Sequence, residues 1–113
     1  MDMVKGTYPK RFEIYWINLD PTISSEVKKT RPCVIISPSC MNQGLQTAIV
    51  APMTSTYKNW DFRVPITHKS KQGQVMLDQM RSVSKKRLVK LDGTVSTKTK
   101  EQIIDCLLEM FAW

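Results

Sequence analysis

Residues 16–38 read WINLDPTISSEVKKTRPCVIISP, and this stretch decides the fold. An aromatic and β-branched run ends at Leu19. Asp20-Pro21 stops it, because proline has no amide hydrogen to give to a sheet ladder. A polar loop continues to Thr30, and a second apolar run, Cys33 to Ser37, starts directly after Arg31-Pro32 and ends at Pro38. Both runs are short, β-rich and sharply bounded, which predicts two strands joined by a loop. That loop sets one carboxylate, Glu26, among three cations, Lys28, Lys29 and Arg31. Such a segment is either a solvated connector or a working loop.

Upstream, residues 1–11 read as a loose lead-in and Phe12–Leu19 as the first strand. Downstream, Ser39–Gly44 reads as a turn-rich connector with Asn42 and Gly44 as breakers. Thr47–Met53, Phe62–Ile66, Gln74–Val83 and Lys90–Val95 read as further strands. Pro52 and Pro65 mark edges or bends, and Lys85–Leu88 reads as one helical turn. Lys100–Phe111 has an apolar stripe at helical spacing, Ile103, Ile104, Leu107, Leu108 and Phe111, and is expected to pack on the sheet. Thr99 and Gln102 have capping-box spacing. Several short strands and one amphipathic helix predict a mainly β fold, a small antiparallel barrel closed by a C-terminal α-helix.

The chain has 113 residues, 42% of them apolar, which suits a single domain over 1–113 with one core. No apolar run is long enough to span a bilayer, and the N-terminal residues lack a secretory signal. The expected location is cytoplasmic, with no membrane partner. The three cysteines show no CxxC spacing. Cys33 and Cys106 are expected to be buried thiols, and only His68 is present to join cysteines around zinc, so no metal site and no cofactor are expected. The net charge is +7. No Asp or Glu lies between Val27 and Trp60 or between Gln79 and Leu91, and the second gap holds Arg81, Lys85, Lys86, Arg87 and Lys90. This distribution favours a polyanion such as nucleic acid.

The side chains limit the chemistry. One histidine excludes a pair of catalytic imidazoles. His68 sits in a basic loop, placed to contact solvent or substrate. Asp20, Glu26, Asp61 and Asp78 are isolated in sequence, which offers no two-metal cluster, and no phosphate-binding P-loop is present. Arginine, hydroxyls and single carboxylates remain. That set suffices for RNA, whose own 2′-hydroxyl is the nucleophile. The protein must move two protons and stabilise charge on phosphorus. Arginine suits the last task, since its planar fork holds two phosphate oxygens. Three segments at strand ends are candidates to converge on one groove: Glu26–Arg31, Thr54-Ser55-Thr56 and Asp78–Arg81. Tyr57 and Trp60 are candidates to stack splayed bases.

Five motifs in order then become recognisable: IYWINLDPTISSEVKKTRPCVIISP (14–38), IVAPMTS (49–55), FRVPI (62–66), GQVMLDQMRSVSKKRLVK (73–90) and LLEMF (107–111). Together they resemble the MazF/PemK/Kid family of toxin endoribonucleases over nearly the whole chain. The resemblance implies an SH3-like barrel with a C-terminal helix, usually a homodimer. It implies sequence-specific, metal-independent cleavage of single-stranded RNA that leaves 2′,3′-cyclic phosphate and 5′-hydroxyl ends, blocked by a cognate antitoxin. The family's catalytic Arg falls on Arg31, its Thr on Thr54 with Ser55 beside it, and its loop acid on Glu26. The Asp of the DQ motif falls on Asp78. Lys28, Lys29, Ser55, Tyr57, Trp60, His68, Asp78, Gln79 and Arg81 are the expected RNA contacts. Two features depart from some members. Met76 stands where they place an Arg, and the first loop has no His. The base that takes the 2′ proton is either Glu26 or Arg31. Two other classes compete: a gyrase poison on the same fold, for which the ending LLEMFAW leaves Trp113 free, and a non-catalytic nucleic-acid-binding module.

Overall fold

The computed structural model describes residues 7–20 and 30–113. Glu26, Lys28 and Lys29 lie outside the described residues. The strands are β1 (Glu13–Asn18), β2 (Thr30–Ile35), β3 (Thr47–Thr54), β4 (Arg63–His68), β5 (Lys71–Met76), β6 (Arg81–Ser84) and β7 (Leu88–Thr94). The helices are α1 (Ser39–Gly44) and α2 (Thr97–Phe111). All the strand pairs are antiparallel, in the order β4-β5-β3-β2-β1-β7, with β6 also on β3. The result is a curled half-barrel with a C-terminal helix, as the pattern of short strands predicts.

Alternation along the central strands explains their unbroken apolar character. Ile14, Val34, Ala51 and Val75 face one core cluster, which Ile103 of α2 joins. Tyr15, Ile17, Cys33, Ile35 and Val50 face a second cluster with Val83 and Leu88. A sheet buried on both faces has no polar side to show in sequence. Pro65 is exposed on β4 at the edge of the sheet, where its missing amide hydrogen breaks no ladder.

The structure corrects several boundaries. The predicted strand Gln74–Val83 is two strands split by a 3-10 turn at Leu77–Gln79. Leu77 is buried and its amide donates to the Phe62 carbonyl at 3.2 Å. The break lets one run pair with both ends of β3: β5 meets Met53 and Thr54, while β6 meets Thr47–Val50. The connector 39–44 is helical. Asn42, read as a breaker, is buried, and its amide donates to the carbonyls of Pro9 at 2.9 Å and Ser37 at 3.0 Å. It thereby ties down the described end of the lead-in. Arg11 adds a bond from Nε to the Ile36 carbonyl at 2.9 Å, so residues 7–11 are docked rather than loose.

Helix α2 starts at Thr97 and is capped by Ser96, whose hydroxyl accepts from the Thr99 amide at 3.4 Å. Of its predicted stripe, Ile103 is fully buried and Leu107 packs at the edge of the core, but Leu108 and Phe111 are exposed. The helix outruns the sheet beneath it. Cys33 is buried as expected, and burial pushes its thiol up to about 12. Cys106 is only half-buried, with its sulfur 3.3 Å from the Asp61 carbonyl.

Candidate active-site groove

Strand register brings the leading residues together. Cys33 lies opposite Pro52 at the end of the β2–β3 ladder; Arg31 and Thr54 each stand two residues beyond that pair, and both line one groove. Thr54 in turn pairs with Gln74 of β5. The Thr54 hydroxyl accepts from the Thr56 amide at 3.1 Å, which turns the chain at the end of β3. Its own proton is left to donate elsewhere. Beside it, β5 comes unusually close. A Cβ on Gly73 would sit 2.5 Å from the Thr54 carbonyl oxygen, so glycine sets the spacing that positions Thr54.

These strand ends border a groove of about 620 Å³. One wall is Trp16, Thr30, Arg31 and Pro32; Met53 to Thr56 form the floor; His68, Lys69 and Lys71–Gly73 form the other wall, with Asp92 between. Arg31, Thr54, Ser55 and His68 therefore share one cavity. The Glu26–Lys29 segment that leads into Arg31 lies outside the described residues. A neighbouring cavity of about 820 Å³ shares Ser55, Gln72 and Gly73 with the first and holds Tyr57.

The third predicted segment does not join this groove. Asp78 is clasped by Arg63, with Nε 2.6 Å from Oδ1 and Nη2 3.0 Å from Oδ2. That bidentate bond holds its carboxyl below the usual carboxylate range. Gln79 leans on the same carboxylate at 3.3 Å. Arg81 donates to the Leu19 carbonyl at 3.4 Å, and Arg87 donates to the carbonyls of Asn18 and Asp20. These two arginines brace the end of β1. Trp60 lies off the groove as well, with Phe62 at 5.5 Å and the Arg63 guanidinium over its ring at 4.6 Å.

The sequence reading missed Asp92 and Trp16. The Asp92 side chain is only 8% exposed and accepts from His68 Nε2 at 2.9 Å and Lys69 Nζ at 2.7 Å. Burial works to raise its carboxyl, but the bonds from Lys69, His68 and Trp16 bring it down to about 2. The signal was present: Asp92 is a lone acid just after KKRLVK, followed by Gly93, the only glycine at positive φ among the described residues, at 150°. Among the described residues no three His, Cys, Asp or Glu side chains gather in one place.

With this geometry in hand, residues 10–111 match the family model for PemK-like, MazF-like toxins of type II toxin–antitoxin systems. The chain belongs to this family. It is 28% identical over 102 residues to the endoribonuclease toxin MazF of Escherichia coli K12, covering 89% of this chain and 92% of that one. It is 30% identical over 115 residues to the endoribonuclease MazF9 of Mycobacterium tuberculosis, covering 92% and 98%. Its fold matches the MazE–MazF complex of Deinococcus radiodurans with a TM-score of 0.77 at 20% identity, over 94% of this chain and 97% of that one. A mycobacterial endoribonuclease bound to its cognate antitoxin gives 0.78 at 20% identity, over 93% and 98%. The PemK/MazF match thus spans both walls of the groove, from β1 to α2.

Proposed function

We propose that this protein is a sequence-specific, metal-independent endoribonuclease toxin that cuts single-stranded RNA, including mRNA. The 2′-hydroxyl attacks the adjacent phosphorus, the 5′-oxygen leaves, and the ends are a 2′,3′-cyclic phosphate and a 5′-hydroxyl. The observation that carries this reading is that Arg31 and Thr54 line the same cationic groove of a PemK/MazF-family chain. Arg31 holds the non-bridging oxygens as charge develops, a role that an arginine fork fills with two parallel bonds. Thr54 and Ser55 donate further hydrogen bonds. Glu26 or Arg31 itself takes the 2′ proton, and Lys28 and Lys29 neutralise flanking phosphates. Asp78, committed to Arg63, has a structural role in this scheme.

The whole of 1–113 acts as one toxin domain, in the cytoplasm where its RNA is. It works as a homodimer and is held silent by a cognate antitoxin. Relatives whose structures were solved with an antitoxin support that partner. One observation favours the gyrase-poison alternative: Phe111 and Trp113 are exposed at the end of α2. Cutting decides between them. The protein is expected to cleave a long RNA in EDTA, with Arg31→Ala losing about 10²–10³-fold in kcat, as for loss of one oxyanion-stabilising donor. Arg31→Lys should recover little, because the bidentate fork is gone. Full cleavage by a folded Arg31→Ala protein would remove Arg31 from the mechanism. Gyrase inhibition without RNA cutting would establish the poison.

A further inference from the structure

The groove has two sides of different chemistry. On β2, Arg31 shares a face with Cys33 and Ile35, whereas Pro32 shares the opposite face with Val34. Trp16 alternates with Ile14, Met53 packs against the first core cluster, and His68 follows Val64 and Ile66 of that same cluster. Arg31 and Thr54 thus form the outer rim. Trp16, Pro32, Met53 and His68 line the mouth of the half-barrel itself.

That mouth is built around a fixed imidazole. His68 Nε2 bonds to the Asp92 carboxylate, and a Cβ on Gly93 would lie 2.7 Å from His68 Cε1, so the ring rests where only glycine fits. This contact spans the two outer strands of the sheet order, β4 and β7. Asp92 is a carboxylate and accepts only, so Nε2 must carry its hydrogen. The second nitrogen, Nδ1, has no protein hydrogen bond among the described residues. The Asp92 charge is matched by Lys69, which leaves Arg31 and Lys71 to make the rim positive. A polyanion fits that rim. The volume of about 620 Å³ falls in the range of small-ligand pockets, roughly 300–1,000 Å³.

We propose that this mouth is a nucleobase-reading subsite, in which the backbone lies on the Arg31–Thr54 rim and one base beside the cut enters between Trp16, Pro32 and Met53 to meet His68 Nδ1. The proposal rests on the endoribonuclease reading and deepens it. Neutral His68 presents a bare acceptor at Nδ1, which selects a base with an exocyclic amine, adenine or cytosine. The charged groups around the ring are Asp92 on β7, Lys69 in the β4–β5 turn, Lys71 on β5 and Arg31 on β2.

The test is sequencing of cut sites in a randomised RNA pool. Wild type is expected to favour adenine or cytosine at one flanking position by about five- to tenfold, as for one hydrogen bond. His68→Leu removes the preference. His68→Gln, whose amide can donate to Asp92 while its carbonyl accepts from the base, retains it. Melting curves of the two variants establish that they are folded; if the leucine variant is not, the glutamine variant carries the test. An unchanged preference in folded His68→Leu, or its loss in folded His68→Gln, overturns the proposal and leaves His68 as a clasp between strands. A wild type that cuts no RNA overturns the endoribonuclease reading instead.

Discussion

Gly73→Ala tests whether the close approach of β5 to β3 positions the reacting groups. The new Cβ would meet the Thr54 carbonyl oxygen at 2.5 Å and the Ser55 Cα at 3.8 Å, and ordinary contact begins at 3.4 Å. The strands must therefore part by about 0.9 Å, and both neighbours are backbone that cannot swing aside. Overpacking of this kind costs about 1–3 kcal/mol. For a chain of this length that lowers Tm by roughly 4–12 °C. The effect on cutting should be larger, because the displaced segment carries Thr54 and Ser55. A misplacement near 1 Å costs about 10²-fold in rate. Gly44→Ala is the control: nothing lies within 4 Å of its added methyl. In α1 it should stabilise by about 0.5–1 kcal/mol and leave cutting intact. The assay is a thermal melt paired with kcat on a defined RNA. If Gly73→Ala melts with wild type, the close contact is not as drawn. If it loses stability but keeps its rate per folded molecule, Thr54 is not positioned by β5.

Two further predictions concern the carboxylates. Asp78→Asn removes the charge that pairs with Arg63, whose side chain is only 8% exposed. It should cost about 1–2 kcal/mol, with kcat of the folded protein little changed; a large fall in kcat at unchanged Tm would put Asp78 in the chemistry. Asp92, with its carboxyl at about 2 when folded, gives stability that is complete above about pH 4 and is lost as pH falls towards 2. Asp92→Asn should cost about 1 kcal/mol at pH 7, allowing for solvent screening, and flatten that acid limb in denaturant titrations. An acid limb that keeps its slope would show that other carboxylates account for it.

What the sequence made legible is what period and punctuation encode. Pro21, Pro38 and Pro65 bounded or demoted strands because a missing amide hydrogen is a local fact. The stripe on α2 was visible at helical spacing, but its exposed end was not, since burial depends on how far the sheet extends below it. The 3-10 break at Leu77–Gln79 was hidden within a run of strand-like residues. Only the pairing of β3 with both β5 and β6 requires it. Arg31 and Thr54 were singled out through the motifs around them, while their place on one groove is a matter of how the strands pair. Asp92 and Trp16 went unnoticed because their importance lies in contacts between β1, the β4–β5 turn and β7, which are distant in sequence. Asp78 illustrates the converse. Its motif drew it towards the chemistry, and the folded chain commits it to Arg63.

The central claim is that the RNA supplies its own nucleophile while Arg31 and Thr54 stabilise the reaction. The most direct measurement uses a short RNA with one mapped cut site and a single 2′-deoxy nucleotide on its 5′ side, incubated with the protein in EDTA. The account predicts that the all-ribose strand is cut to a 2′,3′-cyclic phosphate and a 5′-hydroxyl, and that the single deoxy substitution abolishes cutting at that site while binding persists. Cleavage of the deoxy-substituted strand at the same bond, or products that carry a 5′-phosphate, would contradict it.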